Sequence, residues 1–224
     1  MRHNTIRYKI LYLGPSGERG REWCTVTSHE SGDRTLRALC EMDDTELLRD
    51  VTYSVDRSWH PKDCFIRVRL QERFVGSGWF RFAGTLAECE TLTAAEGRLH
   101  QAIALEAPPV SFINHAVACD VWHWAGIDLD PGRHQVCRPV PACSPLPNGA
   151  SGPTLSLWPL PVVFRGRERI TTRAGVFDCL RATYLTAGGE PSLDTWCTDD
   201  PDRIMVKMEW PPFRSTFELV ELSR

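Results

Sequence analysis

Over the first hundred residues, large apolar side chains recur at every second position, with polar residues between them. In Ile6-Arg7-Tyr8-Lys9-Ile10-Leu11-Tyr12 the alternation is nearly unbroken. A β-strand turns successive side chains to opposite faces, so this pattern predicts a strand with one face on a core and the other toward water. Comparable runs cover 23–27, 35–42, 48–55, 64–70, 79–82, 86–92 and 99–105. Gly14-Pro15-Ser16-Gly17 and Ser31-Gly32-Asp33 separate them, and such residues turn the chain. Short strands about ten residues apart predict an antiparallel meander and not βαβ units. Strand-like runs resume at 155–160, 162–164, 168–173, 176–185, 193–197, 204–210 and 216–222.

Two stretches break the pattern. Residues 112–125 do not alternate, follow Pro108-Pro109 and end at Gly126, a residue suited to a C-cap. They predict a helix of about three to four turns. Phe112, Ile113, Val117, Val121, Trp122 and Trp124 make it apolar nearly all round, which predicts burial. Residues 127–153 carry Pro131, Pro139, Pro141, Pro145, Pro147 and Pro153 and predict a long loop serving as a lid or crossover. The expected fold is mainly β: a curved antiparallel sheet or half-barrel of lipocalin type, packed around one central helix. A single β-rich domain is expected over 1–224, with the Pro-rich lid inside it.

The C-terminal part carries a further pattern. Gly175-Val176-Phe177-Asp178-Cys179 leads into a strand to Tyr184. Asp194-Thr195-Trp196-Cys197, Asp199-Asp200-Pro201-Asp202-Arg203-Ile204 and Phe217-Glu218-Leu219 follow. This quarter of the chain resembles the C-terminal hairpins of the lipoprotein-carrier-like (LolA-like) half-barrel proteins and their uncharacterised bacterial relatives. The resemblance implies a strongly curved sheet that holds a greasy ligand against a helix.

Composition narrows the setting. At 224 residues and 42% hydrophobic, the chain can bury a substantial core. A net charge of -3 gives no reason to expect nucleic acid or an anionic membrane as partner. No run approaches the roughly 18 apolar residues of a membrane span. Met1-Arg2-His3-Asn4 opens no apolar stretch of the kind a signal peptide needs. The nine cysteines are odd in number and form no C-x-x-C pair, so most are expected to be buried thiols of a cytoplasmic protein. A bridge between Cys137 and Cys143 is left open, and so is assembly as a homodimer.

Candidate chemistry gathers on the expected helix in His115, Cys119, Asp120 and His123. At about 100° per residue these fan across one side. Imidazoles and a carboxylate in apolar company must be hydrogen-bonded, paired or bound to a ligand. One reading makes His115 and His123 structural. Another makes His123 or His115 a general acid or base oriented by Asp120. One metal ion held by both histidines is disfavoured, because residues eight apart on a helix lie about 12 Å apart.

A second group is Arg49 with Tyr53, on the strand face shared by Leu47, Val51 and Val55. Arg49 there either grips a substrate oxygen with Tyr53 or reaches water at the sheet rim beside a glutamate. Among eight tryptophans, Trp79, Trp122 and Trp196 are candidate walls for an aromatic ligand. Gly76-Ser77-Gly78 lacks the third glycine and following helix of a dinucleotide site and predicts a turn or bulge. The expected function is cofactor-free acid–base chemistry of lyase, isomerase or hydratase type on a hydrophobic or aromatic small molecule. The alternative is a carrier or sensor for such a ligand.

Overall fold

Alternating runs become strands throughout the chain. The computed structural model describes residues 4–146 and 148–224. Met1 to His3 and Pro147, the last counted in the expected lid, lie outside the described residues. The first eight strands are β1 Asn4–Gly14, β2 Gly17–Ser28, β3 Arg34–Met42, β4 Leu47–Val55, β5 Pro61–Leu70, β6 Arg73–Ala83, β7 Leu86–Thr93 and β8 Gly97–Ala104. Six follow: β9 His134–Ala142, β10 Ser156–Thr172, β11 Gly175–Leu185, β12 Pro191–Thr198, β13 Met205–Trp210 and β14 Ser215–Ser223. Among the described residues they form one antiparallel sheet, ordered β8-β7-β6-β5-β4-β3-β2-β1-β14-β13-β12-β11-β10-β9. Two meanders are thus joined edge to edge by the β1–β14 pair.

Period two decides the faces. In β4 the residues Leu47, Arg49, Val51, Tyr53 and Val55 are all buried, and Asp50 between them is exposed. Register shifts at Lys9/Ile10, Tyr12/Leu13, Ser54/Val55 and Val68/Arg69 bend the first half of the sheet. The shift at Val68/Arg69 lies opposite Gly76 of β6. A Cβ on Gly76 would stand 2.7 Å from Pro153, and one on Gly78 2.6 Å from Thr91. The G-x-G is therefore a strand segment kept bare so that the chain around Gly152 and Pro153 can lie against it.

The chain leaves β8 at one edge and must reach β9 at the other. Residues 105–133 make that journey across the concave face, burying Phe112, Ala116, Cys119, Val121, Trp122 and Trp124 in the core. This segment is not the expected continuous helix. It forms two short 3-10 turns, Val117–Cys119 and Trp122–Gly126, and Ile113 makes a single parallel bridge to Ala142 of β9. Distant partners capture the backbone groups that a helix would pair internally. The N–H of Ile113 donates to the Pro141 carbonyl, and those of Val117 and Ala118 donate to the Glu22 carboxylate. His115 has φ 61°, which no right-handed helix accommodates.

The expected loop over 127–153 also contains more structure than its prolines imply. Its middle third is β9, the outermost strand, where a proline costs no ladder hydrogen bond. The runs at 155–160, 162–164 and 168–173 merge into the single strand β10. All nine cysteines are buried and unpaired, Cys137 and Cys143 included. No helix among the described residues is long and apolar enough to cross a membrane.

Candidate functional site

The site begins with two charges on one row of the concave face. Antiparallel register aligns Ile10, Glu22, Cys40, Arg49 and Val68 across five strands. Glu22 and Arg49 are both fully buried. An unpaired charge in such surroundings would be very costly, so each needs a full set of partners. Glu22 accepts from the Tyr12 hydroxyl at 2.6 Å and from the N–H groups of Val117 and Ala118 at 2.9 and 3.1 Å. Burial raises its pKa above the ordinary carboxylate value, against the opposing pull of these hydrogen bonds. Arg49 donates to the carbonyls of His115, Asn148 and Gly149 at 2.7, 2.9 and 3.0 Å. The two side chains clamp the inserted segment and the following loop onto the sheet.

Beside this clamp lies a cavity of about 250 Å³. Its walls are mostly apolar: Ile113 and Val117 from the insertion, Trp158 to Pro161 from β10, Leu193 from β12, Met208 and Trp210 from β13, and Phe217 from β14. Arg19, Arg49, His115, Asp120, His123, Asn148, Tyr184 and Ser192 supply the polar atoms. A wider hollow of about 980 Å³ between hairpin ends is bordered by Arg21, Glu41, Asp43, Glu46, Arg69 and Glu72, a charged surface typical of solvated turns.

His115, Asp120 and His123 therefore do meet at one cavity, together with Arg49. Their electrostatic states differ. Burial, reinforced by the Arg49 and His123 charges, lowers the His115 pKa to about 3, so this imidazole is neutral at neutral pH. Its Nε2 is buried and has no hydrogen-bond partner among the described residues. Gly149, at φ +61°, leaves the room this ring needs, since a Cβ there would lie 2.6 Å from His115 Cδ2 and from Arg49 Nη2. His123 is buried, its Nδ1 shares a short hydrogen bond with Ser111 Oγ, and its Nε2 stands 3.6 Å from Asp120 Oδ1. Tyr184 donates its hydroxyl to the Asp120 carbonyl at 2.7 Å, and its ring meets that of His123 edge-on at 6.2 Å. Burial holds the Tyr184 hydroxyl well above its usual pKa, so it remains a donor.

The other expected site residues lie elsewhere. Arg49 neither reaches the rim nor offers a free fork, because its amino groups are bound to main-chain carbonyls. Tyr53 sits in the core, 5.7 Å ring to ring from Trp122 and 6.1 Å from Phe112, away from the cavity. Trp122 packs there too, edge-on to Trp59 at 5.2 Å. Trp79 is 44% exposed on the convex face beside Arg81. Trp196 is buried, paired in register with Arg181 and Lys207 and flanked by their cationic side chains, and it does not line the cavity. The aromatic walls are instead Trp158, Tyr184, Trp210 and Phe217.

Glu22 shares its strand face with Gly20, Cys24 and Val26, opposite Arg21, Trp23 and Thr25, and only the two-residue repeat continued back from Cys24 and Val26 marks it as inward. Trp158 stood in a proline-flanked run whose register shift at Trp158/Leu160 no periodicity announces. Among the described residues, no three His, Cys, Asp or Glu side chains gather closely enough to ligate one ion.

The chain matches no family model and no curated protein. Its structure is similar to that of a β-barrel-like protein of the domain of unknown function DUF1849 from Brucella abortus. The TM-score is 0.52 at 11% identity, covering 99% of this chain and 96% of the other. A DUF1089 family protein from Pseudomonas aeruginosa aligns with a TM-score of 0.46 at 9% identity, over 86% of this chain and 90% of that one. The first likeness establishes a shared β-barrel-like fold.

Proposed function

We propose that the cavity binds a small apolar or aromatic molecule and that the protein acts as a carrier or sensor of it. The observation that supports this is the contrast between wall and floor. The walls are aliphatic and aromatic, and on the floor the Arg49 amino groups and the Tyr184 hydroxyl are already bonded to main-chain carbonyls. Such a site gains affinity by taking apolar surface out of water and uses few polar groups for orientation. The resemblance of the C-terminal quarter to lipoprotein carriers agrees, since that quarter contributes Tyr184, Leu193, Met208, Trp210 and Phe217. At about 250 Å³ the cavity suits a small ligand, or one end of a longer one. Nine buried, unpaired thiols support a reducing, cytoplasmic setting. The test is titration with N-phenyl-1-naphthylamine, whose fluorescence rises in apolar surroundings. Saturable binding is expected in the parent protein, with loss in Met208→Trp, which fills the cavity. Equal binding by both proteins would overturn the proposal.

Acid–base catalysis is a second reading, favoured by the Asp120–His123 pair at the same cavity. With His115 held neutral, the proton-transfer role would fall to His123, oriented by Asp120, in lyase, isomerase or hydratase chemistry. Incubating a captured ligand with the protein in D2O separates the two readings. Deuterium incorporation or conversion that disappears in His123→Gln supports catalysis, and recovery of the unchanged ligand supports the carrier.

A further inference from the structure

We infer that the ligand's polar end is a carboxylate, seated on the side-on fork that Nε and Nη2 of Arg19 form at the cavity. This inference rests on the cavity being a ligand site and adds the chemistry of the head group.

Arg19 owes its place to a bulge. In the β1–β2 ladder Tyr12 pairs with Gly20 and Leu13 with Glu18, so Arg19 is the extra residue between them. A bulge interrupts the regular alternation and re-aims the side chain it carries. Arg21, two positions on, pairs with Glu18, Glu41 and Asp43 on the outer face. Arg19 instead lines the cavity. Its carbonyl accepts from the N–H groups of Asp43 and Asp44 at 2.9 and 3.3 Å, which pins the bulge to the turn after β3.

The guanidinium of Arg19 is only partly answered. Nη1 approaches Asp44 at 3.4 Å. Nε is buried, and neither it nor Nη2 has a hydrogen-bond partner among the described residues. These two nitrogens share the planar edge that meets both oxygens of a carboxylate at once. A buried donor of a charged group is costly without an acceptor, so this edge calls for an anionic oxygen that no described residue supplies. The rest of the lining agrees in sign. Arg49 adds a second positive charge, and its Nε is also buried without a partner. His115, neutral at neutral pH, adds an unpartnered Nε2. Among the described residues Asp120 is the one carboxylate on the lining, and His123 Nε2 stands 3.6 Å from it. An ammonium head would therefore meet two guanidinium groups as like charges, and an alcohol would leave the fork half filled.

The experiment is displacement of N-phenyl-1-naphthylamine from the full-length protein at pH 7 by octanoate, 1-octanol and octylamine. Octanoate should displace the probe at concentrations at least about tenfold below the other two, the scale of a hydrogen bond to a charged group. Arg19→Met should weaken octanoate by about tenfold and leave the probe and 1-octanol unchanged. Arg19→Lys, which keeps the charge without the fork, should fall between. Octylamine or 1-octanol displacing as well as octanoate would overturn the head-group assignment while leaving the cavity's role intact. So would an Arg19→Met variant with undiminished octanoate affinity, or one that loses octanoate and 1-octanol equally. Failure of the probe to bind at all overturns the cavity reading and this inference with it. If Arg19→Met does not fold, the three-ligand series on the parent protein decides alone.

Discussion

Glu22 and Arg49 stand two strands apart on one row of the concave face, with Cys40 between them, and hold the same inserted segment through opposite ends of its peptide groups. Glu22 takes the N–H groups of Val117 and Ala118, and Arg49 binds the carbonyl of His115, two residues before Val117. Neither charge touches the other. Each is neutralised in part by main-chain dipoles that have no helical partners because the segment turns in 3-10 geometry. The inserted chain and the buried charges therefore explain each other.

Removing Arg49 should be severe. Arg49→Met leaves the carbonyls of His115, Asn148 and Gly149 without their donor and Glu22 without a compensating charge nearby. A loss of about 3–5 kcal/mol in urea unfolding is expected. Arg49→Lys should fall between, because an ammonium cannot fork to three carbonyls. A cost near that of an ordinary surface substitution for Arg49→Met would show that the insertion is anchored by packing alone.

The two perturbed groups at the clamp predict opposite pH effects. His115 titrates at about 3 in the folded protein and near 6.5 when unfolded, so the unfolded chain binds the proton more readily. Its contribution is complete above pH 6.5 and is lost as pH falls toward 3. Glu22 has a folded pKa raised above its unfolded value near 4.5, so its contribution is complete below that value and is lost as pH rises through the folded one. His115→Gln should move the acid-unfolding midpoint to lower pH. Glu22→Gln should flatten the loss of stability on the alkaline side. Unshifted profiles for both variants would contradict the burial of these groups.

Gly149 is expected to tolerate no side chain. Its φ is +61°, and a Cβ would press on His115 and Arg49 at 2.6 Å, both held in place by the clamp. Gly149→Ala should lower stability by about 1–3 kcal/mol and reduce probe binding, because the strain falls on the floor of the cavity. Calorimetry and the fluorescence titration read the two effects separately.

The thiols offer a simple check on the sheet's register. All nine are buried, and burial raises the pKa of Cys143 to about 12 and that of Cys137 to about 11. Native protein should react slowly with a thiol reagent, and denatured protein should release nine equivalents. Fast native labelling would mean that a strand face is turned outward.

The strands were legible because their signal is local. A residue such as Val51 lies inward when its neighbours two positions away do, and the same rule placed Arg49 and Tyr53 with it. The helix over 112–125 was not legible as two turns. Its composition suits a helix, but the side chains that capture its backbone come from β2 and β4, far away in the chain. The tryptophans show the same divide. Trp79 and Trp196 were correctly placed on strands. Which of them meets the cavity depended on which face looked inward, and Trp158 and Trp210 took that place instead.

The sequence by itself determined the mainly β class, the positions of the strands other than β9 and which residues of a strand share a face, because these follow from a two-residue repeat that each segment carries alone. Only the tertiary structure decided that the β8–β9 connection crosses the concave face and that Glu22 and Arg49 grip it. It also decided that His115, Asp120 and His123 share one cavity with Tyr184 and Phe217. Those relationships join residues tens of positions apart, and they are selected by the demand that every buried charge and every backbone group find a partner.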